Sequence, residues 1–235
     1  MSLDESATAS APTSADGLWP VGGRVLLAGA TGLIGRELLR QLLVDKCVAQ
    51  VHTLGRRPPA QTHPKLTHHT SDLRSVAHLP PLDAAFIALG TTIQVAGSQA
   101  AFRAVDHDAV LAVARAAQQA GAQRLGVVSA MGAHAGSRIF YNRVKGETED
   151  GLVALGFHCL VIARPSLLIG DRAALNQPLR RGERVGEVLS ALFKPLIPAN
   201  YRAIRAQDVA TALRRAVEKG APGRTVLLSG QMQPH

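Results

Sequence analysis

The sequence predicts an α/β domain built on a doubly wound parallel sheet, with a small covering region toward its C-terminal end. Three observations carry this. Short apolar runs alternate with segments of helical periodicity along the chain, the order that gives a parallel sheet flanked by helices. The first run passes through a glycine-spaced turn, Gly29 to Gly35, straight into an amphipathic segment. The length, 235 residues, suits one such domain with a modest extension.

Taken in order, 24–28 reads as a buried strand. A helix over 33–44 follows, with Ile34, Leu38, Leu42 and Leu43 on one face. Strands are expected over 50–54, 65–69 and 84–89. A long Ala-rich helix is expected over 99–120, ended by Gly121. A fifth strand (124–129), a helix (139–155, ended by Gly156) and a sixth strand (157–163) come next. Asp208 is expected to cap a helix running to Lys219, with Gly220 just past its end, and 225–228 reads as a last strand. The Pro- and Gly-containing stretches 55–64 and 170–186 read as loops. One domain is expected over 23–235, preceded by a disordered leader at 1–22 and carrying a substrate-covering segment at about 166–205.

Composition narrows the function classes. No run of about 18 apolar residues is present, so no membrane span is expected. The leader contains Asp4, Glu5 and Asp16 and lacks both an apolar stretch and an Arg-rich pattern. It reads as neither a secretory signal nor a transit peptide. Cys47 and Cys159 match no metal or redox spacing, and a cytoplasmic setting is expected. The net charge of +9 is scattered in short pairs without interleaved aromatics. No nucleic-acid partner is therefore expected, and anionic ligands account for the charge as well.

The segment Gly29-Ala30-Thr31-Gly32-Leu33-Ile34-Gly35 sits between the first strand and the first helix. A chain that turns sharply here, with backbone close to a pyrophosphate, needs residues without a Cβ. The helix N-terminus offers unpaired N–H groups and the positive end of its dipole to phosphates. The segment reads as the dinucleotide cradle of a Rossmann fold; the alternative is an ordinary glycine-containing turn between strand and helix. Gly29, Thr31, Gly32, Leu33, Ile34 and Gly35 are the expected contacts of the cradle. An NAD-binding second strand ordinarily leads to Asp or Glu for the ribose hydroxyl. Here the strand ends in Leu54-Gly55-Arg56-Arg57. Two guanidinium groups suit a 2′-phosphate, so the expected cofactor is NADP(H); the alternative is a solvated basic loop. Asp72 and Leu73 follow the third strand. Asp72 is suited either to accept from the adenine amino group or to cap the next turn.

Tyr141 and Lys145 stand four apart on the 139–155 helix and so share a face. Ser129 lies at the end of the fifth strand, and strand C-termini form the ligand crevice of such sheets. Reduction of a carbonyl builds negative charge on oxygen. A phenol can donate its proton there, a neighbouring ammonium favours the phenolate, and a serine hydroxyl can hold the carbonyl. An exposed Tyr and Lys on an amphipathic helix is the alternative.

With Gly29 to Gly35, Ser129, Tyr141-Asn142-Arg143-Val144-Lys145 and Arg164-Pro165-Ser166 together, the chain resembles the short-chain dehydrogenase/reductases over roughly 23–215. It resembles their extended and atypical members most. Leu89-Gly90-Thr91-Thr92, Val105-Asp106, Val144-Lys145-Gly146-Glu147 and Arg164-Pro165-Ser166 with Asp171-Arg172 look like the atypical subgroup of the Tat-interacting protein. The resemblance implies Ser129, Tyr141 and Lys145 as catalytic residues. It implies Leu89, Gly90 and Thr91 as backbone packed on the cofactor, Pro165 beside the nicotinamide, and Lys145 on its ribose. Many members place an Asn in the helix after the fourth strand; the nearest residue here is Asp106.

The nine histidines carry no metal spacing, and adjacent His68 and His69 point to opposite faces of a strand, so no metal is expected. Arg180, Arg181 and Arg184 lie in the covering segment, either against an acidic substrate or in solvent. The expected function is NADPH-dependent oxidation and reduction of a small carbonyl or hydroxyl substrate. The alternatives are an NADPH-binding regulatory or sensor protein without turnover, and a nucleotide-sugar epimerase-like enzyme. Monomer and homodimer are equally open.

Overall fold

The computed structural model describes residues 22–74, 76, 78–169 and 198–234. All of the 1–22 leader except Gly22, the loop at 170–186 and most of the covering segment lie outside the described residues, as do Asp171, Arg172, Arg180, Arg181 and Arg184.

In chain order the elements are β1 (Gly23–Ala28), α1 (Leu33–Val44), β2 (Val48–Gly55), β3 (Leu66–Thr70), β4 (Ala84–Ile87), α2 (Ile93–Ala96) and α3 (Gln99–Arg103). A π-helical turn (Ala104–Ala109), α4 (Val110–Gln119), β5 (Arg124–Val128), α5 (Phe140–Ala154), β6 (Cys159–Arg164) and β7 (Leu168–Ile169) follow. The chain closes with β8 (Ile204–Arg205), α6 (Ala206–Lys219) and β9 (Gly223–Leu228). Seven strands form one sheet in the order β3-β2-β1-β4-β5-β6-β9, and every neighbouring pair is parallel. The order reverses between β1 and β4, which opens a crevice at the strand C-termini there. β7 and β8 make a separate parallel pair.

The central strand shows why this sheet forms. Val25, Leu26, Leu27 and Ala28 are all fully buried, as a strand covered on both faces requires. Val25 and Leu27 join one core, with Leu38 and Leu42 of α1 and Val209 and Leu213 of α6. Leu26 and Ala28 join the other, with Val110, Val113 and Ala117 of α4 and Leu152 of α5. The period-two alternation thus divides a single apolar run between two helical layers. Across α1 and α6, the Gln41 amide donates to Thr211 Oγ1 at 3.0 Å, and Arg214 bridges to Asp45 at 2.9 Å.

Two expectations change. The Ala-rich helix at 99–120 is not uniform: a π turn separates α3 from α4. Asp208 does not cap α6. The helix starts at Ala206 after Arg205, and Asp208 sits in its first turn, bonded to the Arg205 guanidinium at 2.9 Å. A carboxylate in that turn still complements the helix dipole. The short helix α2 and the β7–β8 pair had no counterpart in the sequence reading.

β2 buries polar side chains where a central strand ordinarily buries apolar ones. His52 Nδ1 lies 3.1 Å from His69 Nε2, and Thr53 Oγ1 lies 3.0 Å from His68 Nδ1. Adjacent His68 and His69 therefore serve different partners. Burial holds the His52 and His69 pKa values below the ordinary imidazole value of 6.5, and the neighbouring cationic groups add to the effect. Below 6.5 the unfolded chain binds more protons at these sites than the folded one. Their contribution to stability is therefore intact above 6.5 and is lost as pH falls toward the lowered folded values. The thermal midpoint should drop between about pH 7.5 and about pH 5.5, and less so in His52→Gln. An equal drop in both proteins would remove His52 from the account.

Candidate active site

The turn from β1 to α1 is built around backbone contacts that leave no room for side chains. Gly29 has φ +86°, and a Cβ there would stand 2.4 Å from the Ala88 carbonyl oxygen. A Cβ on Gly35 would stand 1.9 Å from the Gly29 carbonyl oxygen. Gly32 differs, since its nearest neighbour would be 3.5 Å away. It is the N-cap of α1, no side chain caps that end, and the first turn carries no acidic residue. The first N–H groups of α1 are thus left for an anion. Thr31 is exposed, whereas Ile34 is buried in the core and Leu33 packs against it. The last two can offer only backbone to a ligand.

Arg56 and Arg57 follow β2 directly, both exposed, at the C-terminal end of the strand that pairs with β1. Beyond β3 the chain makes a tight turn. Ser71 Oγ accepts from the Leu73 N–H at 3.0 Å, and Asp72 Oδ1 accepts from the Arg74 N–H at 2.9 Å. Leu73 is buried in the left-handed region, φ 67°, a strained conformation for a leucine. Asp72 does cap the turn. It also lines a cavity of about 140 Å³ with Leu54, His69, Ser71 and His78.

A second, larger cavity, about 490 Å³, opens where β4, β5 and β6 end. Thr92, Ala130, Met131, Tyr141, Pro165 and Tyr201 are among its walls. Tyr141 reaches it from the first turn of α5, its ring packed on Phe102 at 5.3 Å between centroids. Lys145, one turn on, is 5% exposed. Its Nζ lies 2.7 Å from Oδ1 of Asp106, which is completely buried. Asp106 Oδ2 accepts from the Thr91 N–H at 2.9 Å. That bond ties the Leu89-Gly90-Thr91 segment to the same cluster.

Ser129 is not brought to this cavity. β5 ends one residue earlier, and Ser129 is 8% exposed, with its hydroxyl donating to Glu149 Oε1. Glu149, also buried, forms an ion pair with Arg164, whose Nε donates at 3.0 Å. The Glu149 hydrogen bond holds the Arg164 pKa above its ordinary value. This cluster fastens the ends of β5 and β6 to α5 and so fixes the Pro165 wall. At the cavity itself the β5 segment presents Ala130 and Met131. The hydroxyls there come from Tyr141, Tyr201, Ser166 and Thr92. Ser166 is committed, donating to the Arg202 carbonyl and accepting from Ser229. Thr92 Oγ1 accepts from the Val95 N–H at 3.1 Å as the cap of α2, which leaves its own proton to donate.

Glu149 was absent from the sequence reading, although its signal was present. Tyr141, Lys145 and Glu149 are spaced i, i+4, i+8 on one helix face. Thr92 left a weaker trace, as a capping residue before a segment too short to read as a helix. Among the described residues no group of three His, Cys, Asp or Glu is arranged to hold a metal.

Residues 29–154 match the NAD(P)H-binding family. The chain belongs to that family. The protein fmp52, mitochondrial, of Emericella nidulans is 40% identical over 158 residues, 63% of this chain and 68% of the relative. The protein fmp52-1, mitochondrial, of Aspergillus terreus is 34% identical over 205 residues, 83% of this chain and 86% of the relative. The fold is also that of a short-chain dehydrogenase/reductase-family oxidoreductase from Burkholderia thailandensis. There the TM-score is 0.66 at 18% identity, covering 90% of this chain and 93% of the other. This NAD(P)H-binding chain thus has a Rossmann sheet shared with the dehydrogenase/reductases, and its relatives carry the fmp52 name. The relatives are named as mitochondrial, and that finding overturns the cytoplasmic setting expected from the sequence. Two unpaired cysteines speak to redox conditions and do not distinguish one reducing compartment from another.

Proposed function

We propose that the protein is an NADPH-dependent reductase of a small carbonyl compound. The observation that carries this is the placing of Tyr141. Its phenol reaches a cavity at the C-terminal ends of β4, β5 and β6, the same end of the parallel sheet as the glycine turn after β1, with Lys145 one helical turn on along α5. The cradle fits the cofactor: Cβ atoms on Gly29 or Gly35 would collide with backbone, and the α1 N-terminus has no cap of its own.

NADPH, when bound, supplies a hydride to the carbonyl carbon. The chain's own groups do the rest. The Tyr141 hydroxyl donates its proton to the carbonyl oxygen, and the Lys145 ammonium steadies the charge left on the phenol oxygen. Thr92 holds the carbonyl in line with its remaining proton, the role first expected of Ser129. Pro165 packs beside the nicotinamide. Gly32 and the first N–H groups of α1 receive the pyrophosphate, Arg56 and Arg57 the 2′-phosphate, and the turn at Asp72 and Leu73 borders the adenine. The described cavity wall carries no charged side chain. By the relatives' names, a mitochondrial setting is preferred.

One observation favours a second reading, an NADPH-binding regulator without turnover, as the resemblance to the Tat-interacting-protein subgroup suggests. Ser129 is locked onto Glu149 and withheld from the cavity. The test is a titration with NADPH and NADH followed by nicotinamide fluorescence, together with NADPH oxidation across a panel of aldehydes and ketones. NADPH should bind at least about tenfold tighter than NADH, equivalent to about 1.4 kcal/mol. Arg56→Ala or Arg57→Ala should erase the preference, and at least one carbonyl should be turned over. Binding without turnover of any compound would favour the regulator. Failure to bind either cofactor would sink both readings.

A further inference from the structure

We propose that Asp106 is a positioning residue, holding Lys145 through a buried ion pair at the place from which it serves Tyr141 and the nicotinamide ribose. The inference rests on the reading of Lys145 given above and assigns the group that makes Lys145 competent. One carboxylate joins two separate parts of the site. Oδ1 meets Lys145 Nζ at 2.7 Å, and Oδ2 takes the Thr91 N–H at 2.9 Å. The first contact is to α5, and the second is to the segment after β4 that is expected to back the cofactor.

Asp106 is itself held by its surroundings. It lies in the π turn between α3 and α4, a wider turn that shifts the helical register and recurs at functional sites. The Thr148 hydroxyl lies 3.0 Å from the Asp106 carbonyl oxygen and 2.7 Å from that of Val144. This fixes the backbone of the π turn against α5. The carboxylate therefore cannot drift without moving one of two helices.

Stability alone is a poor reason for this arrangement. Two charges taken out of water lose hydration about as great as the attraction they gain, and an apolar pair of similar volume would serve as well. The pair does provide direction. Lysine carries a long flexible stem, and a partner that fixes it before the ligand arrives removes that ordering cost from binding. Asp106 also sets an opposite charge against Lys145 at a nearly fully buried position, where an unpaired charge would be costly.

The test is a double-mutant cycle on NADPH affinity, read by nicotinamide fluorescence, with Asp106→Asn, Lys145→Met and the double variant. Asparagine keeps the shape and an acceptor for Thr91 while removing the charge. Asp106→Asn should weaken NADPH binding about fivefold. Adding it to Lys145→Met should weaken binding no further, because Asp106 acts through the lysine. An ion pair that serves only the fold would lower the thermal midpoint of Asp106→Asn and leave its NADPH affinity at the wild-type value; that result overturns the proposal. Effects that multiply in the double variant overturn it too. Should Asp106→Asn not fold, Asp106→Glu takes its place, retaining the charge and displacing it by one methylene. It too should weaken NADPH binding, and not in the Lys145→Met background; unchanged affinity overturns the proposal. The reductase reading fails separately, if the wild type binds NADPH and reduces nothing, and the cycle still decides the role of Asp106. If the wild type binds no NADPH, both fall.

Discussion

Tyr141→Phe is expected to lower kcat for carbonyl reduction by about 100- to 10,000-fold, or about 3–5 kcal/mol of transition-state stabilisation. NADPH affinity should be essentially unchanged. The separation follows from how the ring is held. The Tyr141 ring packs on Phe102, and a phenylalanine keeps that contact. The substitution removes one hydroxyl, for which no described residue supplies a hydrogen bond. No buried partner is stranded by it, so the thermal midpoint should stay within a degree or two, roughly the scale of a neutral surface change. What disappears is the proton donor at the cavity. Stopped-flow or steady-state NADPH oxidation gives kcat, and fluorescence titration gives the cofactor Kd. A variant that retains most of its turnover would show that the proton comes from elsewhere, with Thr92 and Tyr201 the next hydroxyls to remove.

Much of this site was legible because it rests on local chemistry. The helix expected over 33–44 is α1, residue for residue, since a glycine turn marks its start and four apolar residues mark its buried face. Each expected strand is present within two residues of its ends. What the sequence concealed is the direction of side chains where regular structure stops. Ser129 was expected as the last residue of β5 and lies one residue past it. Whether it faces the cavity or α5 depends on where the chain leaves the pleat, because consecutive residues of a strand point to opposite faces. The chain leaves after Val128, and Ser129 turns to Glu149. The π turn was concealed for another reason. An alanine-rich run reads the same in an α- or a π-helical register, and the deciding contacts, Asp106 to Lys145 and Thr148 to the Asp106 carbonyl, span about forty residues of sequence. The setting was misread because cysteine usage reports redox conditions and not address.

Gly35→Ala and Gly32→Ala should separate two tasks that the glycine motif performs at once. In Gly35→Ala the new Cβ would stand 1.9 Å from the Gly29 carbonyl oxygen, 2.7 Å from its carbon and 3.1 Å from the Ala30 Cα. All three are backbone atoms, so relief requires α1 to move away from the β1 turn. Gly35 lies beside Ile34 and Leu38, which are packed in the core shared by α1, α6 and the sheet. Overpacking of this kind costs about 1–3 kcal/mol, and here there is no flexible side chain to yield. The expected result is a clear drop in the denaturation midpoint, together with loss of NADPH binding. Gly32→Ala should behave oppositely. Its φ is −79°, open to any residue, and its Cβ would meet the Gly29 carbonyl oxygen at an ordinary 3.5 Å. Nothing in the fold requires a glycine there, so stability should hold to within about 0.5 kcal/mol. A methyl group at the cap of α1 would still stand where a pyrophosphate approaches the first N–H groups. NADPH affinity should fall by about tenfold or more, comparable to a displaced charge-assisted contact. A Gly32→Ala variant that binds NADPH like the wild type would mean that the cofactor phosphates do not sit on this helix end. A Gly35→Ala variant of normal stability would mean that α1 and β1 pack with more freedom than their backbone contact allows.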